Sequence, residues 1–157
     1  LPEVVDELGE VLVHGVAIKP GYPVALGVVQ ETPVLMLPGN PVACIITAQQ
    51  FLRPALKQAG HMSVEPVPTQ SATLDRKLPS EPGTRTFARV KTSAGDGDSK
   101  TDAGDEENRH TATPIRTGGA GILSSVALAD GWVVIPEERE GYSAGETVAV
   151  EHWEAMP

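Results

Sequence analysis

Cysteine is almost absent: Cys44 stands alone among 157 residues, so no internal disulfide can form. With only four scattered histidines, no metal-ligand spacing arises and structural zinc is not expected. No long apolar run exists to cross a bilayer. The first 25 residues lack the basic start and apolar centre of a secretory signal, so the expected location is cytoplasmic, with no membrane partner. Positive charge is scarce too. Twelve Lys and Arg face 21 Asp and Glu, a formal charge of −9, and that field repels nucleic acid and anionic lipid. The acidic surplus suits a protein hydrated in high salt and equally an ordinary acidic protein. Aromatic residues are 4% of the chain.

Apolar residues still make up 40%, and 16 Gly with 14 Pro fall short of a low-complexity coil. The length suits one ordinary domain or two small ones with a real core and many turns. The opening LPEVVDELGE reads as the middle of a longer chain, with Val4, Val5 and Leu8 at helical spacing. Residues 2 to 9 are expected to form a helix ended by Gly9 in the left-handed C′ conformation. Residues 10 to 19 read as one strand, apolar enough to be covered on both faces, with His14 in the core. Val24–Val29 and the short run 34–37 read as two more strands, the last buried and missing a neighbour. Pro38-Gly39-Asn40-Pro41 opens a helix with Asn40 as N-cap and Pro41 at its first position. Val42, Ile45, Ile46, Phe51, Leu52 and Leu56 lie along its apolar side, and Gly60 stops it.

After Pro66-Val67-Pro68 the pattern changes. Residues 72–78, 84–92, 110–116, 131–135 and 146–151 alternate apolar and polar side chains, the mark of a small antiparallel β-domain. Residues 94–109 hold six acids and no large apolar residue, which predicts a solvated loop replaceable by a short turn at little cost. A glycine-rich turn, 116–121, leads into a short helical stretch over 122–129.

Three sets of residues could carry chemistry. Lys19, at a strand end before Pro20-Gly21, would meet an anion where ligands of open α/β sheets gather, although a solvated strand-end lysine is the plainer account. In the Pro38–Pro41 turn, Gly39 lets an anion approach the backbone, and the helix-end amides and dipole favour phosphate or carboxylate. A well-made N-cap explains Asn40 and Pro41 as well. Arg89, with Arg85, could clamp an oxyanion in two-pronged fashion, and Ser124 and Ser125 could donate hydroxyls; a surface arginine and a helix cap compete with that. Cys44 in the first turn of the helix reads as a small buried filler.

Taken together, VHGVAIKPG (13–21), LPGNPV (37–42), the strand Arg85–Val90, the turn Gly119–Ser125, and ADGWVVIP (129–136) with AGETV (144–148) resemble the C-terminal part of molybdopterin molybdenumtransferases. That is the MoeA family, which includes the gephyrin E-domain. The resemblance implies an α/β plus β architecture. Residues 1–60 would be the C-terminal half of a molybdopterin-binding α/β domain, 61–71 a linker and 72–152 the C-terminal β-barrel, domain IV. It also implies insertion of molybdate into adenylylated molybdopterin with release of AMP and participation of Mg2+. Lys19 and Arg89 would be catalytic, and Pro38, Gly39, Asn40, Pro41, Ser124 and Ser125 would bind the cofactor precursor. A homodimer is implied for the full-length protein.

Many bacterial members read KPGKP or KPGRP where this chain has Tyr22, one cation fewer, although aliphatic residues occur there in eukaryotic relatives. The glycine-rich strand and the upstream acidic residues of the family are not in this sequence, so the fragment alone is expected to be inactive. Two other readings are a non-catalytic anion-binding or scaffold module and the related adenylyltransferase step. The β-domain argues against the second.

Overall fold

A computed structural model describes residues 1–94, 110–115 and 126–152. The acidic loop expected over 94–109, apart from Ala94, lies outside the described residues, as do the Gly118–Ser125 turn and Ser124 and Ser125 themselves. The chain divides into two compact units, Leu1–Glu65 and Pro66–Pro157.

In the first unit, helix α1 (Pro2–Leu8) precedes β1 (Glu10–His14), β2 (Ile18–Lys19), β3 (Ala25–Val29) and β4 (Thr32–Met36). β1, β3 and β4 form an antiparallel sheet in the order β1-β3-β4. Val5, Ala25 and Met36 make its small core, with Val11, Val29 and Val34 packed against it. Gly9 does not take the left-handed conformation expected of it. Its φ is −168°, extended backbone, and a Cβ there would strike the Val28 carbonyl oxygen. The position needs glycine for close approach to β3 and not for a cap.

The expected single strand over 10–19 is broken, and neither of its faces is fully covered. The β1–β3 register shifts between Val11 and Val13, a bulge at Leu12 that disrupts the two-residue alternation. Leu12 is 57% exposed and Val13 is exposed as well; His14, expected in the core, is exposed at the sheet edge. Gly15 then turns the chain out with φ +91°, a conformation costly for any residue with a Cβ. The apolar run was readable; the bulge that leaves Leu12 and Val13 exposed was not.

β3 and β4 are joined by Gln30-Glu31, whose φ values are 47° and 64° in a two-residue hairpin loop, Val29 facing Thr32. Two positive φ values mark the turn that matches strand twist, and Asn-Gly is the pair that adopts it with least strain. A Gln30→Asn, Glu31→Gly double variant is therefore expected to raise stability by about 1 kcal/mol. Urea unfolding measures it, and an unchanged or lower midpoint would show that the turn carries no strain.

The helix after Pro38-Gly39-Asn40 is interrupted. α2 (Pro41–Thr47) passes into a π turn over Ala48–Leu52 before α3 (Arg53–Ala59) resumes. Pro54 has no N–H for the Gln50 carbonyl, and its ring would press against that group in a regular helix. The chain widens one turn earlier, where the Arg53 N–H reaches the Ala48 oxygen. Val42, Ala43, Ile46 and Thr47 are buried, whereas Leu56, expected on the apolar side, is 63% exposed.

The second unit is a closed barrel. β5 (Thr69–Leu74), β7 (Arg85–Ala94), β8 (His110–Pro114), β9 (Gly131–Ile135) and β11 (Thr147–His152) run in the order β7-β8-β5-β11-β9, and β9 returns to pair with β7. Every pairing is antiparallel except β5 with β8, which is parallel. Two short strands, β6 (Leu78–Pro79) and β10 (Gly141–Tyr142), form a separate ribbon. Alternate residues point inward: Ala72 and Leu74, Val90, Ala112, Val133 and Ile135, Val148 and Val150 fill the interior. Aliphatic side chains of this size leave no lumen. Among the described residues no helix is long and apolar enough to cross a membrane.

Three carboxylates tie down the barrel loops. Burial pushes the Asp75 carboxyl up, but hydrogen bonds from Arg76 and Thr113 and the Arg76 charge bring it net below its ordinary 3.8. The Glu146 carboxyl is held below 4.5 by the Ser143 backbone N–H first and by Arg139 after it. Glu137 is held below 4.5 by its own backbone N–H and by Arg85. Each titrates lower in the folded than in the unfolded chain. Its contribution is thus complete above the ordinary values and is lost as pH falls through the lower folded ones. Unfolding midpoints are expected to hold steady down to about pH 5 and then fall, less steeply in Asp75→Ala than in the parent. Equal slopes for the two proteins would remove Asp75 from the acid transition.

Candidate functional site

The Lys19 turn is built as a lobe on the first unit. Its hydrogen bonds run from Gly15 N–H to Val24 O at 3.0 Å, Val16 N–H to Tyr22 O at 3.0 Å, Ile18 N–H to Val16 O at 2.7 Å and Val24 N–H to Gly21 O at 3.1 Å. Lys19 is exposed, on a lobe beyond β1 and not at the end of one long buried strand. The Lys19–Pro20 peptide is cis. Tyr22, which stands where many bacterial members of the family carry a cation, is 66% exposed, its ring beside the Gly15 backbone.

Gly21 seats the lobe on α2. A Cβ at Gly21 would lie 2.7 Å from the Thr47 methyl and 2.9 Å from Ile18 Cδ1. Thr47 is itself fixed, its buried hydroxyl donating to the Ala43 carbonyl at 2.8 Å. The structure therefore joins the Lys19 turn to the helix that follows Pro38–Pro41, but at its far end. The seven residue steps from Asn40 to Thr47 rise about 10 Å.

At the near end the amides expected to receive an anion are occupied. Asn40 Oδ1 accepts from Val42 N–H at 3.1 Å and from Ala43 N–H at 3.4 Å, the Cys44 N–H bonds the Asn40 carbonyl at 2.8 Å, and Pro41 has none to offer. The N-cap consumes what the dipole would have presented. What stays open is Gly39, where an added Cβ would meet nothing within 4 Å. Cys44 is half-buried, less enclosed than the filler role requires.

In the second unit Arg89 sits in mid-strand on β7, on the outer face of the barrel, since Val90 beside it points into the core. Its peptide is held from two sides: the Ile115 N–H donates to the Arg89 carbonyl at 3.0 Å, and across β9 the residue faces Trp132. Among the described residues, Arg89 Nε is buried with no hydrogen-bond partner. Burial alone pulls the Arg89 pKa down. A buried guanidinium N–H without an acceptor is costly, and an incoming oxyanion would satisfy it. Arg85, weighed beside it, is already engaged, its Nε 2.9 Å from Glu137. The strand thus supplies one arginine paired with Glu137 and one whose Nε has no partner among the described residues.

Below Arg89, Asp130 replaces strand pairing with its side chain. Its carboxylate accepts from the Thr92 N–H at 2.7 Å and from the Thr92 hydroxyl at 3.2 Å, while its own N–H reaches the Val90 carbonyl at 3.0 Å. Among the described residues no three His, Cys, Asp or Glu side chains gather as a metal site.

Comparison with known proteins accords with this architecture. Residues 71–153 match the family described as the MoeA C-terminal region (domain IV), and residues 1–58 match a probable molybdopterin binding domain. A protein of Methanocaldococcus jannaschii named for molybdopterin biosynthesis is 35% identical over 148 residues, covering 94% of this chain and 31% of its own length. The molybdopterin molybdenumtransferase of Haemophilus influenzae is 28% identical over 149 residues, covering 94% of this chain and 34% of its own. The crystal structure of a MoeA protein from Pyrococcus horikoshii superposes with a TM-score of 0.73 at 36% identity, covering 97% of this chain and 34% of that one. The chain thus spans about a third of the length of these relatives. Since the domain IV match alone takes in more than half of the residues, the chain belongs to the MoeA family.

Proposed function

We propose that the chain works in molybdenum cofactor biosynthesis, as part of an enzyme that inserts molybdate into adenylylated molybdopterin and releases AMP. The observation that carries this reading is the buried Nε of Arg89, which has no hydrogen-bond partner among the described residues, in a chain whose relatives are named for molybdopterin and molybdenum transfer. A tetrahedral oxyanion or a phosphate offers two acceptor oxygens in the plane of a guanidinium. Lys19, a point charge on an exposed lobe, would balance the phosphate of the leaving AMP. The open edge at Gly39, between Pro38 and the Asn40-Pro41 cap, leaves room for the substrate against the backbone. Ser124 and Ser125 remain proposed donors. We take residues 1–60 as the C-terminal part of the molybdopterin-binding domain, 61–71 as the linker and 72–152 as the barrel domain of a cytoplasmic homodimer.

Magnesium is the group this reading adds without support from the residues in hand. Among the described residues no three His, Cys, Asp or Glu side chains gather to hold it. An anion-binding scaffold would also use Arg89, and only turnover separates the two.

The test is AMP release from adenylylated molybdopterin by the whole protein. Release that requires molybdate is the expected result; AMP formed equally without molybdate, or none at all, would sink the proposal. Lys19→Ala is expected to lower turnover by about tenfold, the worth of one charge-assisted contact, without a change in melting temperature. Unchanged turnover would remove Lys19 from the site.

A further inference from the structure

The outer face of the barrel carries a row of side chains across three strands. Arg89 on β7 faces Trp132 on β9, and Trp132 faces Glu151 on β11. The indole N–H donates to Glu151 Oε2 at 2.5 Å, and the Phe87 ring meets the indole edge-on, centroids 6.1 Å apart at 88°. Trp132 is 2% exposed. An indole fixed along one edge by a carboxylate and on another by a perpendicular ring has little rotational freedom. It stands directly across the strand pair from the arginine, where facing side chains lie within reach of one another.

We infer that Trp132, pinned by Glu151, is a positioning residue that holds the Arg89 side chain in place and keeps its Nε out of water. This inference rests on the reading of Arg89 as the oxyanion group. Glu151 acts through the indole and not by its charge. Two strand spacings, about 10 Å, separate it from Arg89, and solvent and salt weaken a charge at that range.

Two readouts test it on the whole protein: exchange of the Arg89 Nε–H with water by NMR, and affinity for molybdate as the probe. In Trp132→Phe, which keeps a ring but loses the donor, and in Glu151→Ala, the Nε–H is expected to exchange about tenfold faster and molybdate to bind about tenfold more weakly, the worth of one hydrogen bond to a charged group. Glu151→Gln, which keeps an acceptor without the charge, is expected to stay near the parent in both. Protected Val90 and Val133 amides would show that each variant is folded. Unchanged Nε–H exchange in folded Trp132→Phe and Glu151→Ala would overturn the inference, and so would a Glu151→Gln that behaves like Glu151→Ala. If Arg89→Ala binds molybdate as the parent does, it is the functional reading that fails, and Nε–H exchange still decides the positioning role.

Discussion

Gly131→Ala is expected to cost the barrel unit about 3 kcal/mol, at the upper end of what overpacking does. Gly131 opens β9 at the point where that strand touches both neighbours, facing Val90 on β7 and His152 on β11. A Cβ at this position would strike the Glu151 carbonyl oxygen and come to 2.9 Å from the Glu151 carbonyl carbon and 3.1 Å from the His152 Cα. All three are backbone atoms, so no flexible side chain can swing aside. Relief requires β9 and β11 to part where Trp132 faces Glu151, and that pairing helps close the barrel. Urea unfolding of the variant measures the loss. A cost below about 1 kcal/mol, the level of an ordinary substitution, would mean that the two strands approach less closely than described.

Arg89→Ala is expected to lower molybdate-dependent AMP release by about a hundredfold, the usual consequence of removing one preorganised group that meets developing or transferred charge. The fold is expected to survive, because the truncation also removes a buried N–H that has no acceptor among the described residues. A variant that loses turnover yet unfolds at the parent temperature or above is the expected pattern. Arg89→Lys keeps the charge but not the planar fork and is expected to recover only part of the activity. Full activity in Arg89→Ala would place the anion elsewhere. A large loss of stability alongside activity would recast Arg89 as a structural residue.

How much of this was legible in the sequence depends on how local the cause is. The barrel strands announce themselves through two-residue alternation: Val148 and Val150, Val133 and Ile135, Ala72 and Leu74 all recur at that period. The Asn40-Pro41 cap follows from residue types alone. Closure of β9 onto β7 was not readable, because register is set by partners distant in sequence. The parallel pairing of β5 with β8 was hidden for the same reason. In the first unit, one bulged residue, Leu12, and one glycine with positive φ, Gly15, turned an apparent buried strand into an exposed edge and a lobe. That moved Lys19 and His14 from where the pattern placed them. Arg89 could be singled out from the motif around it, but the pinned Trp132 and Glu151 beside it could not. Only the pairing of three strands brings them into one row.

The same limit explains the Pro38–Pro41 turn. Residue types point equally to an anion site and to a cap, and both readings need Asn40. In the structure Asn40 serves as the cap, its Oδ1 accepting from the Val42 and Ala43 amides, while the Gly39 backbone stays open. Under the proposed function the anion is assigned to side chains, Arg89 above all.

That assignment is open to direct observation by soaking crystals of the whole protein with tungstate, an electron-dense counterpart of molybdate. The account predicts an anomalous peak within hydrogen-bonding distance of the Arg89 guanidinium, with its Nε–H directed at an oxyanion oxygen. A tungstate bound elsewhere, with Arg89 Nε taken up by a partner within the protein, would contradict it.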